Sequence, residues 1–204
     1  MPFAIGGFSS RTVQTVVAEG EPVGFIRGYK AVLNPDNSLK EILPLQNLGS
    51  TLPTAYGNFS LSASYKNLSF MLSGDYQYGA YVHSFDRQFR FSKGLKDDAI
   101  PEKALEGLDQ GANWLNFTNF FVEKSDFLKI RNIGIAYDYK PKKYLKSVNL
   151  AFNVYNPFAF TASSVDPEAA LAGARSQGAV AVGGLNYSSY STPRQYVGTI
   201  RVSF

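Results

Sequence analysis

The chain has 204 residues, 45% of them hydrophobic, with 20 basic and 16 acidic residues for a formal charge of +4, one His and no Cys. The missing thiols exclude disulfides, thiolate nucleophiles and most structural zinc sites, and charge that clusters only at Lys140, Lys142, Lys143 and Lys146 makes no nucleic-acid footprint. Thirteen Tyr and 16 Phe raise the aromatic share to 15%, yet no run approaches the roughly 18 apolar residues of a membrane-spanning helix, so any passage through a membrane has to be made by strands.

Residues 1–20 lack the basic start, apolar stretch and small-residue cleavage site of a secretory signal. Thr12 to Ala18 and Val23 to Leu33 predict two strands joined at Glu19-Gly20-Glu21-Pro22, and 34–55 is expected to be a long loop. From Tyr56 to Lys66 the chain alternates strictly: Phe59, Leu61, Ala63 and Tyr65 against Asn58, Ser60, Ser62, Ser64 and Lys66. That period belongs to a strand with one face in lipid or a core and the other in water. After a tight turn at Lys66-Asn67-Leu68 the pattern resumes, with Phe70, Leu72, Gly74, Tyr76 and Tyr78 opposing Ser69, Met71, Ser73, Asp75 and Gln77. Three further strands are predicted at Phe127 to Tyr139, Ser147 to Tyr155 and Arg194 to Phe204, whose apolar sides are Ile133, Ile135, Tyr137 and Tyr139; Val148, Leu150, Phe152 and Val154; and Tyr196, Ile200, Val202 and Phe204.

The predicted connections alternate in length. Those at 34–55, 79–126 and 156–193 are long, and those at 19–22, 67 and 140–146 are short. Outer-membrane barrels sort their loops in this way, with short periplasmic turns and long extracellular loops, whereas a soluble sandwich has no reason to. Strand lengths suit the roughly 9 to 11 residues of a tilted spanning strand, and Tyr65, Tyr76, Tyr78, Tyr137, Tyr139, Tyr155 and Tyr196 edge the apolar faces as an interfacial girdle would. Within the loops, 101–109 reads as a short helix with Pro101 near its start, and 162–193 is rich in Ala, Gly and Ser.

Catalytic chemistry has few candidates, and neither a catalytic residue nor a metal or cofactor site is expected. His83 reads as an exposed loop residue, Asp97-Asp98 as a solvated loop, Asp166-Pro167-Glu168 as a turn-shaping motif and the lysine cluster as a solvated periplasmic turn. Trp114, the single tryptophan, is the candidate substrate contact, because an aromatic ring can stack on a sugar face; loop packing or contact with a lid protein is the alternative.

The segment VEKSDFLKIRNIGIAYDY (Val122 to Tyr139) resembles the signature strand of SusC/RagA-like TonB-dependent transporters, and SVNLAFNVYNPFAFTASSVDPEA (Ser147 to Ala169) resembles that family's next strand and loop. STPRQYVGTIRVSF (Ser191 to Phe204) is similar to its closing strand, and Ala18-Glu19-Gly20-Glu21-Pro22-Val23-Gly24 to an upstream turn. One departure is Pro157 in place of a leucine, which is expected to end its strand sharply.

The resemblance implies an all-β chain: five to seven strands of a larger antiparallel transmembrane barrel of roughly 22 strands, in the bacterial outer membrane. Residues 1–204 would be the C-terminal part of the barrel, with plug domain, TonB-contacting segment and signal peptide absent. The implied activity is import of oligosaccharides or peptides. The implied partners are the rest of the barrel and plug, a SusD-like surface lipoprotein, TonB through the plug, and outer-membrane lipid. Tyr196, Ile200, Val202 and Phe204 look like the ending that outer-membrane assembly machinery reads in barrel precursors. Two other readings stay open: a self-contained small barrel or adhesin, and a soluble β-sandwich carbohydrate-binding module with apolar faces meeting across about 10 Å.

Overall fold

The computed structural model describes residues 3–7, 13–141, 145–166, 185–186 and 190–204. Its strands are β1 (Phe3–Gly7), β2 (Gln14–Val17), β3 (Phe25–Leu33), β4 (Leu39–Ser50), β5 (Ala55–Tyr65), β6 (Leu68–Tyr78), β7 (Tyr81–Ser84), β8 (Val122–Lys124), β9 (Phe127–Tyr139), β10 (Ser147–Thr161), β11 (Leu185–Asn186) and β12 (Gln195–Ser203). The chain divides into two compact units. A sheet unit holds Ala55–Gln77, Phe127–Phe160 and Thr192–Phe204, and a loop unit holds Met1–Thr54, Tyr78–Asp126 and Thr161–Ser191.

In the sheet unit, five strands lie in the order β5, β6, β9, β10, β12, each beside the next of the unit in sequence. The register explains why their alternation adds up to one surface. Leu68, Phe70 and Leu72 face Tyr137, Ile135 and Ile133, while Val148, Leu150 and Val154 face Val202, Ile200 and Tyr196. Directly opposed residues share a side of the sheet, so the apolar sets of neighbouring strands join. Ser69, Ser73, Asn132, Asn149 and Arg201 fall on the other side.

The register shifts between β6 and β9. Ser73 pairs with Asn132 but Gly74 with Ile130, so Arg131 is the extra residue of a bulge. A Cβ on Gly74 would stand 2.5 Å from both the Lys129 carbonyl and the Phe59 ring, which is why the sequence has glycine there. Arg131 grips Asp75 with two N–H groups, Nη2 donating to Oδ2 at 2.8 Å and Nε to Oδ1. Asp75→Ala is expected to remove both of these charge-assisted bonds and to cost about 1–2 kcal/mol, measurable as a lower urea midpoint.

At one end of the sheet β5 passes to β6 through only Lys66 and Asn67, with Lys66 at φ 52°. The short 140–146 connection joins β9 to β10 at the same end. The chain leaves the sheet for its long excursions at the opposite end, after β6 and after β10, where Gln77 lies beside Phe127 and Tyr155 beside Gln195. Loop length is therefore sorted by end within this sheet, as expected for its connections at 67, 79–126, 140–146 and 156–193; the strands expected at Thr12 to Ala18 and Val23 to Leu33, with the turn 19–22 between them, belong to the other unit.

The loop unit contains two sheets, β1-β2-β3-β4 and β11-β7-β8, with α1 (Phe85–Ser92), α2 (Gln110–Asn113) and 3-10 helices at Glu102–Leu105 and Trp114–Phe121. Ala31, Phe91, Ile100, Ala104, Phe117 and Phe121 form its main core. Asn119 completes the backbone of β3: its Oδ1 accepts from Ala31 N at 2.9 Å and its Nδ2 donates to Ala31 O at 3.3 Å. Thr118 settles over Gly28, where a Cβ would lie 2.7 Å from the threonine methyl.

Several expectations need correction. Residues 34–55 are not a loop: a turn at 34–38 leads directly into β4. The strand was hidden because Pro44 and the positive φ of Leu45 interrupt its alternation, which an edge strand tolerates. Pro157 does not end its strand. β10 runs on to Thr161, because ladder pairing with β12 is already over at Tyr155 and Asn156 takes φ 50° to bend the strand. The helix expected over 101–109 is confined to Glu102–Leu105, with Pro101 at its N-cap. Lys142, Lys143, Pro167, Glu168 and most of 162–193 lie outside the described residues.

Candidate functional site

Two features stand out: the apolar side of the five-stranded sheet and the polar network inside the loop unit. On the sheet, apolar side chains stay open to the surroundings, among them Phe152 at 48% exposure, Tyr196 at 64%, Ile200 at 73% and Phe204 at 80%. Leu68, Ile135, Leu150, Phe152 and Ile200 line an open groove of about 470 Å³ that runs past Gly198. Rings sit at both ends of this face: Tyr65, Tyr137 and Tyr139 toward the short turns, and Tyr76, Tyr78 and Tyr196 toward the long excursions. Leu150, Phe152 and Ile200 lie in the band between. A contiguous apolar surface of this kind is a solvation statement, because soluble monomers rarely leave one uncovered; with polar-tipped rings at its borders it matches a bilayer profile. Tyr196, Ile200 and Val202 share this face through their pairing with Val154, Leu150 and Val148.

In the loop unit His83 is fully buried, not the exposed loop residue expected. Gln88 fixes its tautomer. The Gln88 amide nitrogen donates to Thr118 Oγ1 at 2.9 Å and to Trp114 O at 3.3 Å, so its oxygen faces His83 and accepts from Nε2–H at 2.6 Å. Nδ1 has no partner among the described residues. Burial pushes the imidazole down to about 4, only partly opposed by the Gln88 bond. The unfolded chain therefore binds more protons than the folded one between pH 6.5 and 4, and folding is weakened as pH falls through that window. A loss of about 3 kcal/mol is expected across it. His83→Gln is expected to flatten the pH dependence, read by amide exchange in α1.

Arg87 is the second hub. Its Nε donates to Asp97 Oδ2 at 2.9 Å and Nη2 to Oδ1 at 2.5 Å, while Nη1 meets the Glu123 carboxylate, which also accepts from Ser164 Oγ at 2.8 Å. Asp97 is thus no solvated loop residue. Burial alone would raise its pKa, but the Arg87 bonds and the Ala99 N–H outweigh that and hold it below the ordinary value. Asp98 is exposed. Trp114 is half-buried against the main core, its ring edge-on to Phe85 at 6.1 Å. Among the described residues no three His, Asp or Glu groups gather as a metal site would require. Sequence reading missed Arg87, Gln88 and Asn119, whose roles depend on pairings across distant segments; the only local signal was the phenylalanine spacing at 117, 120 and 121.

No protein-family model and no curated protein sequence matches the chain. Solved structures do. The RagAB peptide importer in its open-open state superposes with TM-score 0.66 at 18% identity, and in its closed-closed state with 0.65 at 19%. A structure of the RagAB peptide transporter gives 0.63 at 19%. All of this chain is covered in each case, but only 24–25% of the other. The fold is a β-barrel segment. The chain spans about a quarter of the length of the solved chains it matches, and among the described residues β5 and β12 are the edge strands of its five-stranded sheet.

Proposed function

We propose that this chain is the C-terminal barrel portion of a TonB-dependent outer-membrane transporter of the SusC/RagA kind, importing peptides or oligosaccharides with a SusD-like surface lipoprotein, and that it is not an enzyme. The observation that supports this most is the five-stranded sheet whose apolar side keeps large side chains exposed on every strand, with rings at both borders. An open sheet in lipid would leave its edge strands' backbone groups unpaired at several kcal/mol each. In this reading β5 and β12 therefore continue into further strands of the barrel, the polar side lines the lumen around a plug that TonB engages, and the long excursions face outside. The sandwich alternative requires a second sheet against the apolar side, and the sheet unit has only one among the described residues.

Fractionation of cells expressing the native locus, probed with an antibody to Ala55–Tyr78, tests the proposal. It expects a species several times larger than this chain in the outer membrane; a soluble species of this chain's own size contradicts it. Tyr196, Ile200, Val202 and Phe204 are proposed as the strand that assembly machinery reads, and Phe204→Ala is expected to lower the assembled yield severalfold in the same fractions.

A further inference from the structure

The groove on the apolar side of the sheet exists because one side chain is missing. Gly198 lies opposite Phe152, between the pairs Leu150–Ile200 and Val154–Tyr196, and a Cβ built on it would meet nothing within 4 Å. The space of about 470 Å³ that results has no charged residue in its lining. Toward the short turns it starts at Leu68 and Tyr137, which pair with each other.

The border at that end is basic. Lys66 stands two residues before Leu68, its ammonium over the Tyr65 ring at 5.3 Å from the centroid. Two strands along, Lys146 immediately precedes β10, in phase with Val148 and Leu150 of the apolar side. Both lysines are exposed, and the connections that carry them, 66–67 and 140–146, contain no acidic residue. Asp138, the nearest acid in sequence to the second connection, lies on the polar side, where it accepts from Asn149 Nδ2 at 2.7 Å. Depth fits as well. Phe152 is six residues from Lys146, roughly 20 Å along the strand, which a tilt of about 40° turns into roughly 15 Å of depth, half of a hydrocarbon layer of about 30 Å.

We infer that the groove and its lysine border form a site for one anionic phospholipid, with an acyl chain lying past Gly198 and the headgroup phosphate held between Lys66 and Lys146. This rests on the membrane reading and adds to it a lipid class and a place, in the leaflet at the short-turn end. A second copy of this chain fits the face less well. Two barrels standing the same way up would meet about a two-fold axis along the membrane normal, groove against groove and lysine border against lysine border; the groove would stay unfilled and like charges would be brought together.

The test titrates the complete protein that carries this chain, purified in detergent, with dioleoyl phosphatidylglycerol, dioleoyl phosphatidylcholine and the chain-free headgroup glycerophosphoglycerol, counting bound molecules by native mass spectrometry. Phosphatidylglycerol is expected to bind about tenfold or more tightly than phosphatidylcholine, as two lysines at a membrane surface imply, and the chain-free headgroup is expected not to bind. The Lys66→Gln/Lys146→Gln double variant is expected to erase that preference while leaving phosphatidylcholine binding as it was, a difference that general misfolding would not produce. Gly198→Leu fills the groove with a side chain that suits a lipid-facing position, and is expected to assemble normally and to carry one phosphatidylglycerol fewer per protein. The inference is overturned if the two lipids bind alike, if the chain-free headgroup binds as the lipid does, or if either variant binds as the parent does. It is also overturned if Gly198→Leu splits a dimer of the protein without changing the lipid count, which would assign the face to a second copy. Fractionation is read separately. Outer-membrane location without the phosphatidylglycerol preference sinks the lipid site alone, whereas a soluble protein sinks the membrane reading and the lipid site with it.

Discussion

Phe152→Arg is expected to keep the protein from assembling in a membrane, at a cost of about 2–4 kcal/mol for a cation near the bilayer midplane. Phe152 lies midway along β10, opposite Gly198 and between the pairs Leu150–Ile200 and Val154–Tyr196. Its ring is open to the surroundings at 48% exposure. An arginine there is four residues from Asn156 and five from Ser147, beyond easy reach of either border. Ser62→Arg, on the polar side of β5, serves as the control and is expected to assemble normally. The readout is the protease-resistant fraction in outer-membrane preparations. In a water-soluble sheet the contrast between the two variants would vanish, because arginine on an exposed face is innocuous.

Phe91→Ala is expected to cost about 3–5 kcal/mol, the range for deleting a buried ring, and to act only on the loop unit. Phe91 is fully buried and packs its ring against Phe117 at 5.7 Å and Phe121 at 5.6 Å, with Ile100 and Ala104 in the same core. The 3-10 helix that carries Phe117 and Phe121 also carries Asn119, which bonds β3, and Thr118, which bonds Gln88. Losing the ring therefore loosens several segments together. Amide exchange is expected to accelerate across α1, β3 and Trp114–Phe121, with the β6–β9 ladder unchanged; uniform acceleration throughout both units would show that the division into two units is not an energetic one.

The sheet was legible in the sequence because each of its strands has two different environments. Where one side chain in two must be apolar, the alternation prints itself at Phe59-Leu61-Ala63-Tyr65 or Val148-Leu150-Phe152-Val154, and strand limits follow within a residue or two except at the far end of β10. The bulge at Arg131 was not visible, since a single inserted residue flips the parity from Ile133 to Ile130 without any change in composition. The loop unit was far less legible. Its core residues come from Ala31, Phe91, Ile100, Ala104 and Phe117, which no periodicity connects, and its buried polar groups look like surface residues until their partners are known. His83 with Gln88, and Arg87 with Asp97 and Glu123, are of this kind. Trp114 is conspicuous in the sequence as the lone tryptophan, but its packing against the main core and edge-on to Phe85 depends on segments that no spacing connects.

The membrane reading requires the apolar side of the sheet to face lipid, and a chain of these 204 residues without Cys makes that directly measurable. Single cysteines placed in turn from Leu150 to Val154 and spin-labelled in liposomes report their exposure to oxygen, which partitions into lipid, and to a nickel chelate, which stays in water. Oxygen access is expected to dominate at 150, 152 and 154 and nickel access at 151 and 153. Nickel access at all five positions, or the opposite phase, would contradict the membrane barrel.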